Sequence, residues 1–381
     1  MCAALAVMFA VTGFVALRLA GIGPNPSTFV VATTSWVDVD KAPASLYVDP
    51  RTSGYDGVFF YRLALDPATT ERTDFGVTLD LPALRQARII YPSVAHLLAV
   101  GSPDLVPLML IVVNILALGL LAWALAQLAR DAGRAPIAGA ALALGPGLLF
   151  SLSRDLCEPL AIALVACAIL AATRGRLIAC GALLIGAVLT RETMAIWALG
   201  VSVAAVVDAR RAVPWGRVAA RVAAGGVPLA LLLAWQFVVE SIWGQTPLAA
   251  GQRNLGYPFV GLVESMRHDF DTLATGMWSP GLPDVAFAVV VGVLLVITAV
   301  AYPRSRAPLE VKCGLVLGVV LVVCQSGTMW ETWAGFLRTA SDLLVFGGLV
   351  VALAPSARLR QLTWLWPLSS LPLAGYLVLR P

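Results

Sequence analysis

The segment Gly54–Arg62, which reads GYDGVFFYR, places one carboxylate and one guanidinium among aromatic residues and glycines. It follows the first apolar stretch of the chain. Asp-Gly is also a common turn sequence. However, an ionised carboxylate beside aromatic rings at a membrane surface could act as a general base. We therefore consider Asp56 the candidate catalytic residue, with Tyr55, Tyr61 and Arg62 as candidate substrate-binding neighbours.

Further charged residues interrupt the apolar sequence in four places. Charges at the ends of apolar helices are costly, so they tend to mark a functional site or internal ion pairs. If these segments meet in the fold, they would form one polar site together with Asp56. The four clusters are Arg85 and Arg88; Arg154, Asp155 and Glu158; Arg191 and Glu192; and Glu331, Arg338 and Asp342.

The cluster RDLCEP, residues 154–159, also has a purely structural interpretation. Asp155 would cap a helix, and Glu158 in its first turn would interact favourably with the helix dipole. Pro159 suits the first turn of a helix because it needs no backbone donor there. These roles do not exclude a function for the two carboxylates.

The remaining arginines could bind an anion. Arg191 and Glu192 interrupt about thirty apolar residues, so they form either a tight turn with a local ion pair or a site in which Arg191 binds a phosphate. Arg338 begins a predicted helix at the level of the outer leaflet. A lipid phosphate at that depth would need such a cationic partner.

Neither a metal centre nor a disulfide framework is predicted. The six cysteines mostly lie within apolar runs, form no CxxC pair and have no metal-ligand spacing with the histidines. His96 and His268 are interpreted as structural residues. Trp330 and Trp333 are interpreted as anchors at the membrane interface.

The composition requires a lipid environment. The 381 residues are 59% hydrophobic and only 13% charged, whereas soluble domains carry about 25% charged residues. A chain this apolar needs the bilayer as solvent, so we expect membrane lipids rather than nucleic acid as its surroundings. Apolar runs between charges predict an all-α bundle of about eleven spans, at 2–22, 104–129, 136–152, 158–173, 177–190, 193–207, 222–239, 284–302, 311–326, 339–354 and 362–379.

The distribution of basic residues predicts the orientation. With the N-terminus in the cytoplasm, the first span is a retained helix, since no basic segment precedes it as in a signal peptide. The inner loops then hold three acidic residues, Asp131, Asp208 and Glu310. They hold 13 basic residues, as the positive-inside rule requires: Arg130, Arg134, Arg174, Arg176, Arg210, Arg211, Arg217, Arg221, Arg304, Arg306, Lys312, Arg358 and Arg360.

This orientation gives a single transmembrane domain, 1–381, with two long extracytoplasmic loops at about 23–103 and 240–283. In the first loop, the apolar run 89–100 is too short to cross a bilayer and predicts a re-entrant or interfacial helix beginning at Pro92. In the second, residues 260–273 predict an amphipathic helix on the membrane surface. All the charged clusters fall on the outer side, which predicts one site there in a multi-pass protein of the plasma or inner membrane.

At these residues the chain resembles the GT-C superfamily of integral membrane glycosyltransferases, in particular bacterial members that build actinobacterial envelopes. The resemblance extends over the whole predicted topology. It implies a GT-C-like helical bundle and a sugar donor linked to polyprenyl phosphate, with a glycan or lipid of the cell envelope as acceptor. The motifs that carry it are Tyr55-Asp56-Gly57 with Phe60-Tyr61-Arg62, Tyr91-Pro92, Glu158-Pro159 and Arg191-Glu192.

The resemblance also implies residue roles. Asp56 would take the proton of the acceptor hydroxyl while the anomeric carbon is attacked with inversion, and no metal or other cofactor would be needed. The residues that would neutralise the phosphate are Arg191 and Arg338, assisted by Arg62, Arg88 or Arg154. The residues that would bind sugar hydroxyls are Asp155 or Glu158, and Glu192 completes the candidate substrate-binding set.

The main alternatives are a secondary transporter and a lipid flippase. Either would also have many helices and a few charges within the membrane. Transporter sites lie near the bilayer midplane and often within internal repeats, whereas the charges here lie at helix ends and no repeat is visible. The sequence does not specify the sugar, the acceptor, the length of the lipid chain or the oligomeric state.

Overall fold

A computed structural model of the chain describes residues 1–210, 214–275, 278–330 and 332–379. The fold is almost entirely helical, with 74% of the chain in helices. Within the described ranges, the only strands form one antiparallel hairpin, β1 (Thr73–Asp74) and β2 (Val77–Thr78). The predicted all-α class is therefore confirmed.

Twenty α-helices are present in the described residues, and short 3₁₀ turns connect several of them. They are α1 (Cys2–Ile22), α2 (Gly57–Leu65), α3 (Pro82–Gln86), α4 (Ile90–Leu98), α5 (Val106–Asp131), α6 (Pro136–Ala140), α7 (Pro146–Leu152), α8 (Glu158–Thr173), α9 (Leu177–Thr190), α10 (Ala195–Ala209), α11 (Trp215–Trp243), α12 (Pro247–Ala250), α13 (Val260–Ala274), α14 (Trp278–Ala301), α15 (Leu309–Val323), α16 (Gly327–Trp330), α17 (Trp333–Thr339), α18 (Ser341–Ala352), α19 (Ala357–Gln361) and α20 (Leu365–Leu379).

Several helices are long and apolar enough to cross a membrane. Among the described residues there are five, or six if α17 and α18, which meet at a bend of 58°, form one span. The expected count of eleven is not confirmed, because α8 and α9 have only 16 and 14 residues and the range 136–152 is broken. The long spans are Cys2–Ile22, Pro103–Asp131, Glu192–Ala209, Trp215–Trp243 and Asp284–Arg304.

The break in the range 136–152 has a clear cause. Gly145 separates α6 and the 3₁₀ turn that follows it from α7, and Pro146 is the first residue of α7. Proline has no backbone N–H to continue the hydrogen-bond ladder of the preceding turn, so a new helix begins there.

The helices pack through small residues. Gly200 of α10 lies against the backbone of Gly314 in α15, where a Cβ atom would be 2.8 Å from the Gly314 nitrogen. Such glycine contacts allow two helices to approach closely in lipid, where packing replaces the hydrophobic effect as the main attraction. Helix α8 is buried along almost its whole length and lies in the centre of the bundle.

The two long loops fold onto one end of the bundle. The first loop contributes α2 to α4 and the hairpin, and the second contributes α12 and α13. Trp243 donates to the Gln86 side chain at 3.2 Å, and the Ser265 hydroxyl donates to the Trp330 carbonyl at 2.6 Å. The predicted helices near Pro92 and at 260–273 are both confirmed as helices, α4 and α13.

The opposite end of the bundle has its own ion pairs. Arg174, directly after α8, pairs with Asp131 at 2.8 Å, and Arg221 pairs with Asp208 at 2.7 Å and with Glu310. Glu158 begins α8, so about 24 Å of helix separates it from Arg174. The two groups of charged residues are therefore distinct.

Candidate functional site

The site is built around the start of α2, where Asp56 occupies the N-cap position. Gly57 lies so close to the carbonyl oxygens of Arg154 and Val30 that a Cβ atom would be 2.8 Å from the latter and closer still to the former. Only glycine therefore allows α2 to begin against this turn. The Asp56 carboxylate does not cap its own helix and is free to reach other elements.

Arg85 of α3 is the first partner of Asp56. Its Nη1 atom lies 2.8 Å from Asp56 Oδ2. The same guanidinium donates from Nε and Nη2 to the two oxygens of Asp80, each at 2.8 Å, and lies 4.4 Å from the centre of the Phe59 ring. A bidentate pair and a ring contact together fix the position of this arginine.

Arg338 of α17 is the second partner of Asp56. Its Nη1 atom donates to the same oxygen, Asp56 Oδ2, at 2.5 Å, and its Nε atom donates to Glu158 Oε1. The guanidinium also lies 5.8 Å from the centre of the Tyr55 ring. Arg338 thus connects the first loop to the start of α8.

Glu158 extends the network into the bundle. Its Oε1 atom also accepts from Arg191, which follows α9, and the Glu158 side chain is only 1% exposed. Nearby, Arg88 donates to both oxygens of Glu192, at 2.9 and 2.6 Å. These pairs join the first loop to the break between α9 and α10. Sequence segments 282 residues apart therefore meet at Asp56.

The electrostatic environment of Asp56 favours its ionised form. Burial alone would raise the pKa of this carboxyl, but the positive charges of Arg85 and Arg338, and more weakly of Arg88, hold the pKa well below its usual range. The Asp56 side chain remains 22% exposed, whereas those of Arg85 and Arg338 are 8% and 12% exposed. The network is therefore partly open to solvent at Asp56, as it is at Glu192, which is 28% exposed.

The structure thus brings together seven of the residues named from the sequence: Asp56, Arg85, Glu158, Arg191 and Arg338 in one chain of ion pairs, and Arg88 with Glu192 beside it. Tyr55 lies at its edge and packs edge-on against Phe150, with ring centroids 5.4 Å apart.

Two predicted residues of α2 lie elsewhere. Tyr61 is buried in the core. Arg62 donates to the Thr69 hydroxyl at 2.8 Å and pairs with Asp74 of the hairpin at 3.4 Å. In this arrangement Arg62 stabilises the first loop and does not contact Asp56.

The turn before α8 flanks the network. The Arg154 guanidinium lies 5.9 Å from the centre of the Phe150 ring. Asp155 is fully buried with a positive φ of 49°, a strained backbone for a residue other than glycine. Burial raises its pKa well above the usual range, and the charge of Arg18 in α1 opposes this only in part. Asp155 makes no ion pair with the arginines around Asp56 among the described residues.

The other candidates of the last cluster differ from the expectation. Asp342 is buried and accepts a hydrogen bond from Trp197 Nε1 at 2.7 Å. Glu331 lies outside the described residues. His96 shares a hydrogen bond of 2.9 Å with the Ala64 carbonyl, which connects α4 to α2.

Arg85 was named among the converging charged clusters but was given no individual role at the site, and Asp80 was not named from the sequence. Arg85 was recognised as a charge in the first loop, but nothing in the sequence distinguishes it from Arg62, which is nearer to Asp56 along the chain. Asp80 offered no signal, because it lies in a polar segment where an acid needs no explanation.

The network contains no candidate metal centre. In the described ranges, no group of three or more histidine, cysteine or acidic side chains could hold a metal ion. Asp56 Oδ2 and Glu158 Oε1, at the centre of the network, are instead each contacted by two arginines. The arrangement can orient an ionised carboxylate, and it can bind anionic groups through its arginines.

Comparison with protein-family models, with curated proteins and with solved structures finds no match to this chain. The functional interpretation therefore depends on the residues and their geometry.

Proposed function

We propose that the protein is a membrane glycosyltransferase of the GT-C type, with a GT-C-like bundle of about eleven transmembrane helices in the plasma or inner membrane. It would transfer a sugar from a polyprenyl-phosphate donor to a glycan or lipid acceptor of the envelope, on the extracytoplasmic face. The observation that carries the proposal is the partly exposed Asp56 carboxylate, held between arginines of two different segments at one end of an apolar bundle.

The reaction would be a single displacement at the anomeric carbon. The acceptor hydroxyl oxygen forms a bond to this carbon, and the bond from the carbon to the phosphate oxygen breaks. Its electron pair leaves with the polyprenyl phosphate, and the hydroxyl proton passes to Asp56. Configuration inverts because attack and departure occur on opposite faces of the sugar ring.

The arginines suit the leaving group. Polyprenyl phosphate carries more negative charge as it departs, and positioned guanidinium groups stabilise such developing charge. Arg338 is the arginine nearest to Asp56, and Arg191 is connected to Arg338 through Glu158. Base and phosphate-binding groups would therefore lie side by side, as a displacement at a sugar phosphate requires.

The test is sugar transfer by the purified protein in lipid nanodiscs, supplied with radiolabelled polyprenyl-phosphate sugars and with envelope lipids and glycans. Asp56→Asn is expected to abolish transfer while remaining folded, although at neutral pH it should unfold at a lower temperature than the wild type. Asp131→Asn, at the other end of the bundle, is the matched control and should transfer normally. Equal transfer by Asp56→Asn would refute its role as base. No transfer from any donor by the wild type would favour a transporter or flippase.

A further inference from the structure

The ion-pair network has no spare positive charge. Its arginines are Arg85, Arg88, Arg191 and Arg338, and its carboxylates are Asp56, Asp80, Glu158 and Glu192. The two sets balance. An incoming phosphate would therefore compete with a carboxylate for the positive charge of any arginine of this network that it binds.

The two arginines on Asp56 differ in how firmly they are held. Arg85 makes two charge-assisted hydrogen bonds to Asp80, lies 4.4 Å from the centre of the Phe59 ring, and comes from α3 in the same loop. Arg338 makes one contact to Asp56 and one to Glu158, both monodentate, and its contact to the Tyr55 ring is longer at 5.8 Å. Bidentate pairs hold a guanidinium more strongly than single contacts.

Glu158 would not be left without a partner if Arg338 moved. Its Oε1 atom also accepts from Arg191. Asp56 would likewise keep Arg85. Displacement of either Arg338 or Arg191 would therefore leave every buried carboxylate with a positive partner, and of these two arginines only Arg338 contacts Asp56.

We propose that Arg338 is an exchangeable partner of Asp56, and that the substrate phosphate, a diester in the donor and a monoester in the departing polyprenyl phosphate, draws its guanidinium away from the carboxylate, which can then accept a proton. Arg85 is in contrast a permanent positioning residue that holds Asp56 in place. This inference rests on the proposed function, since it assumes that the substrate carries a phosphate. In this proposal the exchange of Arg338 makes Asp56 an effective base only when the donor is bound.

The direction of the effect follows from the groups that face Asp56. They are Arg85 of α3, Arg88 directly after α3, Arg338 of α17 and the neighbouring Tyr55, with Glu158 of α8 behind Arg338. The arginines lower the pKa of Asp56 while burial raises it. Removal of one arginine contact leaves burial less opposed, so the pKa rises and the carboxylate becomes a stronger base.

The inference is tested by following the protonation of Asp56 with difference infrared spectroscopy in nanodiscs, the band being assigned with Asp56→Asn. Three additions are compared: a polyprenyl monophosphate, the neutral polyprenol of the same length, and inorganic phosphate. The monophosphate is expected to raise the pKa of Asp56 and the polyprenol to leave it unchanged. A rise with inorganic phosphate alone would show that the anion suffices without the lipid chain.

Arg338→Gln provides the decisive variant, with Arg174→Gln at the other end of the bundle as its control. In Arg338→Gln the pKa of Asp56 should already be raised without ligand, and the monophosphate should raise it no further. A bound monophosphate that leaves the wild-type pKa unchanged would overturn the inference, as would failure of this lipid to bind. If Arg338→Gln does not fold, the wild type alone still tests the inference, because the pKa of Asp56 must rise with the bound monophosphate and not with the polyprenol.

The two proposals fail in different ways. A rise in the pKa of Asp56 on monophosphate binding, without sugar transfer from any donor, would support the exchange and refute the glycosyltransferase. Sugar transfer without that rise would support the enzyme and refute the exchange.

Discussion

Replacing Glu158 by Gln should weaken the fold more than any other single amide substitution in the network. The Glu158 side chain is 1% exposed, and its Oε1 atom accepts from both Arg338 and Arg191. The amide is nearly isosteric but neutral, so two guanidinium groups would lose their shared counter-charge in a buried place. Breaking a buried ion pair by removing one partner costs about 3–5 kcal/mol.

Asp131→Asn is the matched control for this prediction. It makes the same change from carboxylate to amide, but Asp131 is 42% exposed and pairs with a partly exposed Arg174. Exposed pairs contribute roughly 0–1 kcal/mol. Unfolding would be followed by tryptophan fluorescence in detergent micelles. If Glu158→Gln lost no more stability than Asp131→Asn, the idea that Glu158 holds the two arginines in place would be wrong.

Three further outcomes are expected. Gly57→Ala should lower both stability and sugar transfer, because a Cβ there meets the backbone of the turn before α8, whereas Gly13→Ala, with nothing within 4 Å of its Cβ, should be neutral or slightly stabilising in a thermal unfolding assay. The lowered pKa of Asp56 stabilises the folded protein at pH values above about 3.9, the pKa of this carboxyl in the unfolded chain, so the wild type should unfold at a higher temperature than Asp56→Asn at neutral pH. This difference in unfolding temperature should vanish as the pH falls below about 3.9 towards the pKa of the folded state, and a difference independent of pH would contradict the prediction. With the exposed native cysteine replaced, an impermeant thiol reagent should label Asp40→Cys from outside intact cells and Arg210→Cys only after permeabilisation; the reverse result would overturn the orientation.

Much of the helical framework could be predicted from the sequence, because an apolar run in lipid must satisfy its own backbone hydrogen bonds and does so as a helix. Every predicted apolar range contains helix, including the short α8 and α9. The number of helices that cross a membrane is a different matter. It depends on how short helices tilt and on how broken ones join, as at Gly145–Pro146 and at the bend between α17 and α18. These are set by tertiary packing and not by local hydropathy.

The meeting of distant charges was predictable in outline, because isolated charges in apolar sequence are costly unless they pair. The pairing itself was not. Arg62 follows Asp56 by six residues, which places it about 240° around the axis at 100° per residue, on another face of α2. Proximity along the chain therefore favoured the wrong arginine. Arg85 reaches Asp56 because the loop between α2 and α3 turns back, a long-range feature with no local signature.

The network is difficult to explain as a device for stability alone. Buried ion pairs add little net stability compared with apolar side chains of the same volume, because desolvation offsets most of the attraction between the charges. The triad of Arg221, Asp208 and Glu310 already connects three helices at the opposite end with three charged groups. At the Asp56 end of the bundle, eight charged groups of the described residues converge, and of their two carboxylates that are shared between two arginines, Asp56 is open to solvent and Glu158 is buried. A balanced set of charges in which a carboxylate shared by two arginines stays open to solvent is an arrangement that an incoming anion can rearrange, and this is the physical basis for proposing the Asp56 end of the bundle as the site of chemistry.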